Sequence, residues 1–588
     1  MFAAEWLRLR WAHARDGAAA WLSPWPVGVV RVAIVVGLVV LAGYGVERGI
    51  AVRRWAWDFT EAFRFTGDIG RGFSYGRKAL REGYIDLYSR KYAETTARGE
   101  KNDLNYAPLR LATMMWYAWV VSDDYPEATQ WQRYPYGFTL PVLGVNMVME
   151  LAAGAAAFVL VVIWMSRAQR AGDAAPLPTV WSWLRDLSPF TGWFTATVAA
   201  ALVWFNPASW INAHGWPLWD IWVVPFFLWA LVFISLDCWL VAGVVIGVGA
   251  MFKGQQFLVA PLFVMTALFM GRPGAAGRWV AGLVLGLALV VWPWMLTHRF
   301  EPIVPEGATE ATMRDPAAPL WNLWAIAWVG AVAAVFISLL VVSYVMRWPW
   351  RAATPALVAV AVGAAMFACV PMFDADLGWL RVGLLRGTEV FSNLYVAHAY
   401  NIPALLAQQF GFSNKGDLTY VVTTLAGHEV TLKQLMATIY FVTLVLCSAG
   451  AARHWRRNDP RTLVALIAPW LLLFTIVTQM HERYLLFAAA MSATLIAVRW
   501  PYVFMCVLLS FLSMCMTADT MLGASSRALR RGQLEGDMVS VEQFRMFLES
   551  VNAIFPGAAW AVVACCIVVL VDALGVGGLR VRRRVGDL

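Results

Sequence analysis

The sequence predicts an all-α polytopic membrane protein, a bundle of about 12–14 transmembrane helices, and three observations carry that expectation. Of its 588 residues 60% are hydrophobic, with a mean hydropathy of +0.61, more apolar surface than a water-soluble fold of this length can hide. Apolar runs near the length needed to cross hydrocarbon recur along the chain. Charged residues are only 14% of the total, and the basic ones gather in short links between those runs. That pattern makes the net charge of +9 a topology signal and excludes a nucleic-acid partner, for which there is also no motif. The 33 Trp and 17 Tyr suit a large membrane–water interface. The seven cysteines, at 238, 369, 447, 506, 515, 565 and 566, lie in or beside apolar runs without metal-ligand spacing and read as small core residues.

Residues 1–26 interleave Arg8, Arg10 and Arg15 with Trp6, Leu7, Leu9 and Trp11, a basic amphipathic helix for the cytoplasmic membrane surface. Val27–Val46 is the first span, of signal-anchor character and with no convincing cleavage site. A polar stretch, 47–137, is too hydrophilic to cross. Within it Asp68–Gly83 can form an amphipathic helix with Phe73, Ala79 and Leu80 near one face. Asn105–Leu109 breaks that helix, and Leu109–Val121 reads as a second, interfacial one. Apolar runs follow at 138–165, 189–207, 219–236, 237–253, 255–271, 279–296, 319–346, 354–371, 434–450, 461–479, 484–499, 501–520 and 556–575. Residues 501–588 supply the last helices and a basic tail.

With the N-terminus placed inside and the spans alternating, nearly every Arg-rich link falls on the inner side, most clearly Arg453–Arg457 and Arg580–Arg584. Both termini are then cytoplasmic. The outer side receives the loop 47–137, the turn 206–220, the hinge Lys253-Gly254-Gln255-Gln256, the segments 297–318 and 372–432, the turn His481–Tyr484, and 521–555.

That outer set holds polar groups that are costly in a membrane unless something uses them, although Met480–Tyr484 also reads as a short polar turn that marks the water boundary. Asp68 opens a helix, where a carboxylate suits the dipole, and it is also a candidate general base; Asp58, Glu61 and Asp103 are its rivals. His214-Gly215-Trp216-Pro217-Leu218-Trp219-Asp220 ends a span. Its tryptophans fit an interfacial belt, and Asp220 with His214 is placed to contact a sugar. Lys253 with Gln255 and Gln256 is suited either to snorkelling or to a lipid-linked phosphate, with Arg483 and His481 as further donors. Asp374-Ala375-Asp376 is a D-x-D pair that can hold a divalent cation or arise by chance. There is no Walker loop, dinucleotide fingerprint or zinc spacing.

Taken together, these segments resemble the GT-C superfamily of multi-span glycosyltransferases that use polyprenyl-phosphate sugars, bacterial mannosyltransferases among them. The likeness runs through the Asp68 helix leading to Gly83-Tyr84 and Leu87-Tyr88, and through Asn105-Tyr106-Ala107-Pro108-Leu109 beside the family's D/N-Y-P-P-L. It continues in Asn206-Pro207 with Trp216–Asp220, in Lys253-Gly254-Gln255-Gln256 beside K-P-Q, and in Met480-His481-Glu482-Arg483-Tyr484 beside M-H-E-R-Y. Ala107, Pro217 and Leu218 depart from the pattern. The resemblance implies a catalytic module over 27–500. In it Asp68 is the base, Lys253, His481 and Arg483 bind the donor phosphate, and Asp220, Trp216, Gln256, Glu482 and Tyr106 line the sugar or acceptor pocket. It implies metal-independent, inverting transfer of a hexose such as mannose, or of a pentose, on the periplasmic side of the inner membrane. The donor lipid is then a co-substrate, a glycan, lipid or protein is the acceptor, and there is no cofactor. A flippase of polyprenyl-linked glycans, or a non-catalytic subunit of an envelope complex, are the competing readings.

Overall fold

The computed structural model describes residues 25–60, 67–88, 104, 106–126, 128, 134–169, 192–295, 378–380, 383–384, 399–410, 421–425, 428–530, 546, 549, 553 and 555–575. The expected N-terminal amphipathic helix, the runs 319–346 and 354–371, Glu61, Asp103, Asp374, Asp376 and the basic tail lie outside these residues, apart from the first two residues of helix α1.

The described chain is mostly helical. In order it forms α1 (Trp25–Phe59), α2 (Gly67–Glu82), α3 (Pro108–Val121), α4 (Tyr136–Gln169), α5 (Gly192–Trp204), α6 (Pro207–Trp210), α7 (Val223–Ser235) and α8 (Trp239–Phe252). After these come α9 (Gln255–Val259), α10 (Pro261–Phe269), α11 (Pro273–Met295), α12 (Ile402–Phe410), α13 (Leu432–Trp455), α14 (Arg461–Ile476), α15 (Leu485–Ser492), α16 (Tyr502–Arg530) and α17 (Phe555–Leu574). Six helices among the described residues are long and apolar enough to cross a membrane: Tyr136–Ala168, Gly192–Gly215, Pro273–Trp292, Leu432–Trp455, Tyr502–Gly523 and Pro556–Leu574. Four shorter apolar helices accompany them, at Asp220–Ser235, Trp239–Phe252, Gln255–Phe269 and Arg461–Ile476.

Two features depart from the expected architecture. Helix α1 does not stop near Val46 but continues to Phe59, so the polar stretch begins as helix. The run from Glu47 to Phe59 has one glycine and no proline to break it, and Arg53 finds buried partners. The chain is also not wholly helical. Strands β1 (Val421–Leu425) and β2 (His428–Thr431) pair antiparallel, with Leu425 opposite His428 and Val421 opposite Thr431. That hairpin feeds α13 through a capping box, in which Thr431 Oγ1 accepts from the Gln434 N–H and the Gln434 side chain accepts from the Thr431 N–H.

The core centres on α14, in which every residue from Thr462 to Ile476 is buried. Its neighbours close in by small-residue contacts. Gly243 and Gly247 of α8 meet Gly282 and Gly286 of α11. A Cβ at Gly282 would fall 1.9 Å from the Leu240 carbonyl oxygen, and one at Gly243 2.1 Å from that of Trp279. Two G-x-x-x-G faces pressed backbone to backbone are how apolar helices associate without hydrophobic drive. The same device joins α2 to α3, where a Cβ at Gly76 would sit 2.1 Å from the Met114 oxygen. Phe73 and Ala79 of α2 are buried, as its amphipathic pattern predicts. The close α8–α11 and α2–α3 crossings fix the two ends from which Lys253 and Asp68 project.

Candidate functional site

Asp220 is the centre of the site. It opens the one-turn helix Asp220–Trp222 that leads into α7, and it is 1% exposed. An isolated carboxylate there would carry a desolvation cost of several kcal/mol, so cations surround it. Lys253 Nζ lies 2.6 Å from Oδ1, Arg483 Nε 3.0 Å from Oδ2, and Arg110 Nη1 3.5 Å from Oδ1. Arg483 also donates through Nη1 to Asp68 Oδ2 at 3.1 Å, bridging side chains 415 residues apart in sequence. Neither Asp220 oxygen makes a hydrogen bond of good geometry, so charge attraction holds the three cations to Asp220, while Arg483 is hydrogen-bonded directly to Asp68.

Each partner arrives on a different element. Lys253 caps α8 with extended backbone (φ −147°, ψ 114°), in the two-residue link before α9. Its ammonium lies 4.3 Å from the Tyr484 ring centre and 5.3 Å from that of Phe487. Burial pushes that ammonium down to about 7, with Asp220 pulling it back and Arg110 and Arg483 adding to the descent. Arg483 follows a left-handed residue, Gln479 (φ 61°), that turns the chain out of α14 toward a one-turn helix at Glu482–Tyr484. Burial would lower its guanidinium, but the charges of Asp68 and Asp220 outweigh that and hold it above the usual range. Asp68 sits in the first turn of α2, where the helix dipole favours a carboxylate.

The remaining expected residues are placed as follows. Tyr106 lies under Arg110, whose guanidinium is 4.6 Å from the ring centre, and its carbonyl accepts from the Tyr88 hydroxyl. Gln256 is buried against Gly249 and donates to the Val223 carbonyl at 3.5 Å, bracing the helix that Asp220 opens. Glu482 is buried with one oxygen 3.8 Å from His481 Nδ1, and the His481 ring packs edge-on to Tyr484. Trp216 packs among Ile211, Leu218, Ala518, Met521 and Leu522, in an apolar cluster separate from the cations. Asp58, a rival base, pairs with Arg54 at 3.1 Å on the exposed end of α1 and does not join the Asp220 group. His214, read beside Asp220 in sequence, turns into a second buried group with Glu150 and Arg53. Among the described residues no cluster of His, Cys, Asp and Glu has the makings of a metal site.

Two participants are absent from the sequence reading. Arg110 is the sole charged residue of α3, and a lone charge in an otherwise apolar helix was the signal. Arg71, one turn after Asp68, is held above its usual range despite burial by Tyr106, Asp68 and Tyr75. Gly383 and Leu384 form part of a roof, against Tyr106–Pro108 and Gly254.

No protein-family model matches the chain, and no curated protein is similar to it.

Proposed function

We propose that the chain is a membrane glycosyltransferase of GT-C type. It moves a hexose or pentose from a polyprenyl-phosphate carrier to an acceptor hydroxyl at the membrane face bearing Asp220. One observation carries the reading: Asp68, Lys253 and Arg483, expected to serve one reaction, lie in a single ion-pair group with Arg110. With Lys253 protonated, three cations face two carboxylates there, which leaves positive charge for an anionic headgroup. In the proposed step the acceptor O–H gives its proton to the Asp68 carboxylate as its oxygen attacks the anomeric carbon. The bond from that carbon to the phosphate oxygen breaks, and the electron pair leaves with the phosphate. Lys253, Arg483 and Arg110 stabilise the charge that develops on that leaving group. A single displacement inverts the anomeric centre.

The purified chain with radiolabelled polyprenyl-phosphate mannose or pentose and a hydroxyl acceptor tests this. Transfer should fall at least about 100-fold in Asp68→Asn, the scale of a positioned general base, while donor binding persists. Arg483→Ala and Lys253→Ala should lose binding as well. Transfer by Asp68→Asn at the wild-type rate would remove Asp68 from the mechanism.

A second reading has its own observation. The buried Arg53–Glu150–His214 group lies within the helices, as a flippase of lipid-linked glycans would require. Movement of intact donor between leaflets, with no transfer, would select it.

A further inference from the structure

At the end of the bundle opposite Asp220, the described residues form an open groove of about 360 Å³ between the C-terminal turns of α10 and α13. It is lined by Phe269, Ala449, Ala452, Arg453, Arg456 and Arg457. The two ends are separated by α14, whose 16 residues rise about 24 Å.

Three features of this groove converge. The arginines are exposed and, among the described residues, no carboxylate lies within ion-pair distance of them. The neighbouring carboxylates are already engaged: Asp237 pairs with Arg272, Asp459 with Arg461 and Asp572 with Arg499. Two of the three arginines are also oriented by protein carbonyls. Arg456 donates to Phe269 O, and Arg453 to Leu574 O at 3.1 Å, which fixes the stems and leaves other guanidinium N–H groups free to donate. The third feature is an apolar track. Val442, Leu446, Ala449 and Arg453 follow one another at helical spacing on α13 and are all exposed, with Val442 at 51% and Leu446 at 40%. Phe269 adds an exposed ring beside the arginines.

We propose that this groove binds an anionic glycerophospholipid. An acyl chain lies along Val442, Leu446 and Ala449, and the phosphate is held by Arg453, Arg456 and Arg457. Guanidinium groups suit a phosphate through paired N–H donors, and an anionic headgroup supplies the charge that no carboxylate here provides. The site is independent of the proposed transferase reaction. It requires only that this Arg-rich end sit at a membrane boundary, as the distribution of basic links implies.

Native mass spectrometry of the full chain, titrated with phosphatidylglycerol or phosphatidylcholine, tests the assignment. The wild-type chain should retain phosphatidylglycerol in preference. Arg453→Gln with Arg457→Gln should weaken that retention roughly tenfold or more, at about 1 kcal/mol per basic residue. Ala449→Trp, which fills the groove and keeps every arginine, should weaken it too. Lys433→Gln, at the other end of α13, should not. Equal retention of the two lipids, or unchanged phosphatidylglycerol binding in the double variant and in Ala449→Trp, overturns the proposal. Displacement of the lipid by millimolar inorganic phosphate, with Ala449→Trp binding as wild type, marks a site for the free anion and overturns it as well.

Discussion

Asp220 is buried away from bulk solvent, and its charge is stabilised by side chains that come from three separate segments. Removing that carboxylate would leave Lys253 and Arg110 unpaired and Arg483 with Asp68 as its remaining partner, three cations crowded around one carboxylate. Asp220→Ala is therefore expected to destabilise the protein by about 3–5 kcal/mol, read as a lower midpoint in thermal unfolding of the detergent-solubilised chain. Lys253 sets a pH dependence. Its ammonium titrates near 7 in the free site, below its ordinary 10.5, because burial disfavours the charged form. Binding of an anionic headgroup favours that form and so takes up a proton whenever the pH is above about 7. Affinity for a polyprenyl-phosphate sugar should be flat below pH 7 and fall as pH rises above it. The phosphodiester has no second ionisation to blur the slope. Lys253→Arg, always charged, should abolish the slope, and affinity measured from pH 6 to 9 in both forms decides it. Some of this was legible in sequence: Asp68, Lys253 and Arg483 stand out as polar groups at span ends. Arg110 was legible only as an anomaly, since nothing local says toward which carboxylate a lone arginine points.

Helices α8 and α11 touch along paired glycines, and α8 carries Lys253 at its C-terminal end. A side chain on that face acts on the site through helix position. Gly247→Leu would force a Cβ to within 2.5 Å of the Leu283 carbonyl oxygen, so α8 must move away. The expected cost is about 1–3 kcal/mol or more of stability. Donor binding should weaken as Lys253 shifts, although residue 247 lies in the helix interior. Gly277→Ala, where a Cβ meets nothing within 4 Å, is the control on the facing helix; it should leave binding unchanged and the thermal midpoint equal or slightly raised. Normal donor affinity in a folded Gly247→Leu protein would show that α8 does not position the lysine. Most helix bounds agree with the apolar runs to within a few residues, because hydropathy reports burial in lipid or protein directly. The overrun of α1 to Phe59 was hidden by its polar composition, which is tolerated once Arg53 is paired.

Across the whole molecule, Arg53 ties α1 to the bundle. Its Nε reaches Glu150 Oε2 at 2.6 Å, its Nη1 donates to Gly49 O and its Nη2 to Trp204 O, while His214 Nε2 sits 3.0 Å from the same glutamate oxygen. Arg53→Ala should cost about 3–5 kcal/mol by leaving Glu150 buried and uncompensated. Arg53→Met combined with Glu150→Met should recover much of that loss, since the double variant has no orphan charge. Thermal midpoints together with movement of intact donor between leaflets separate a structural clamp from a transport role, because full recovery of stability with unaltered movement leaves no task for the charges. The amino-acid order alone determined that this chain lives in a membrane, where most of its helices begin and end, and which polar groups sit at their ends, because hydrophobicity and chain breaks are local properties. It could not determine that Asp220 would lie beneath three cations, that His214 would turn away to Glu150, or that three arginines at the far end would meet no carboxylate among the described residues. Those outcomes depend on which helices pack face to face. That is decided by close contacts such as Gly282 against Leu240, between segments whose separation in sequence carries no information about their distance in space.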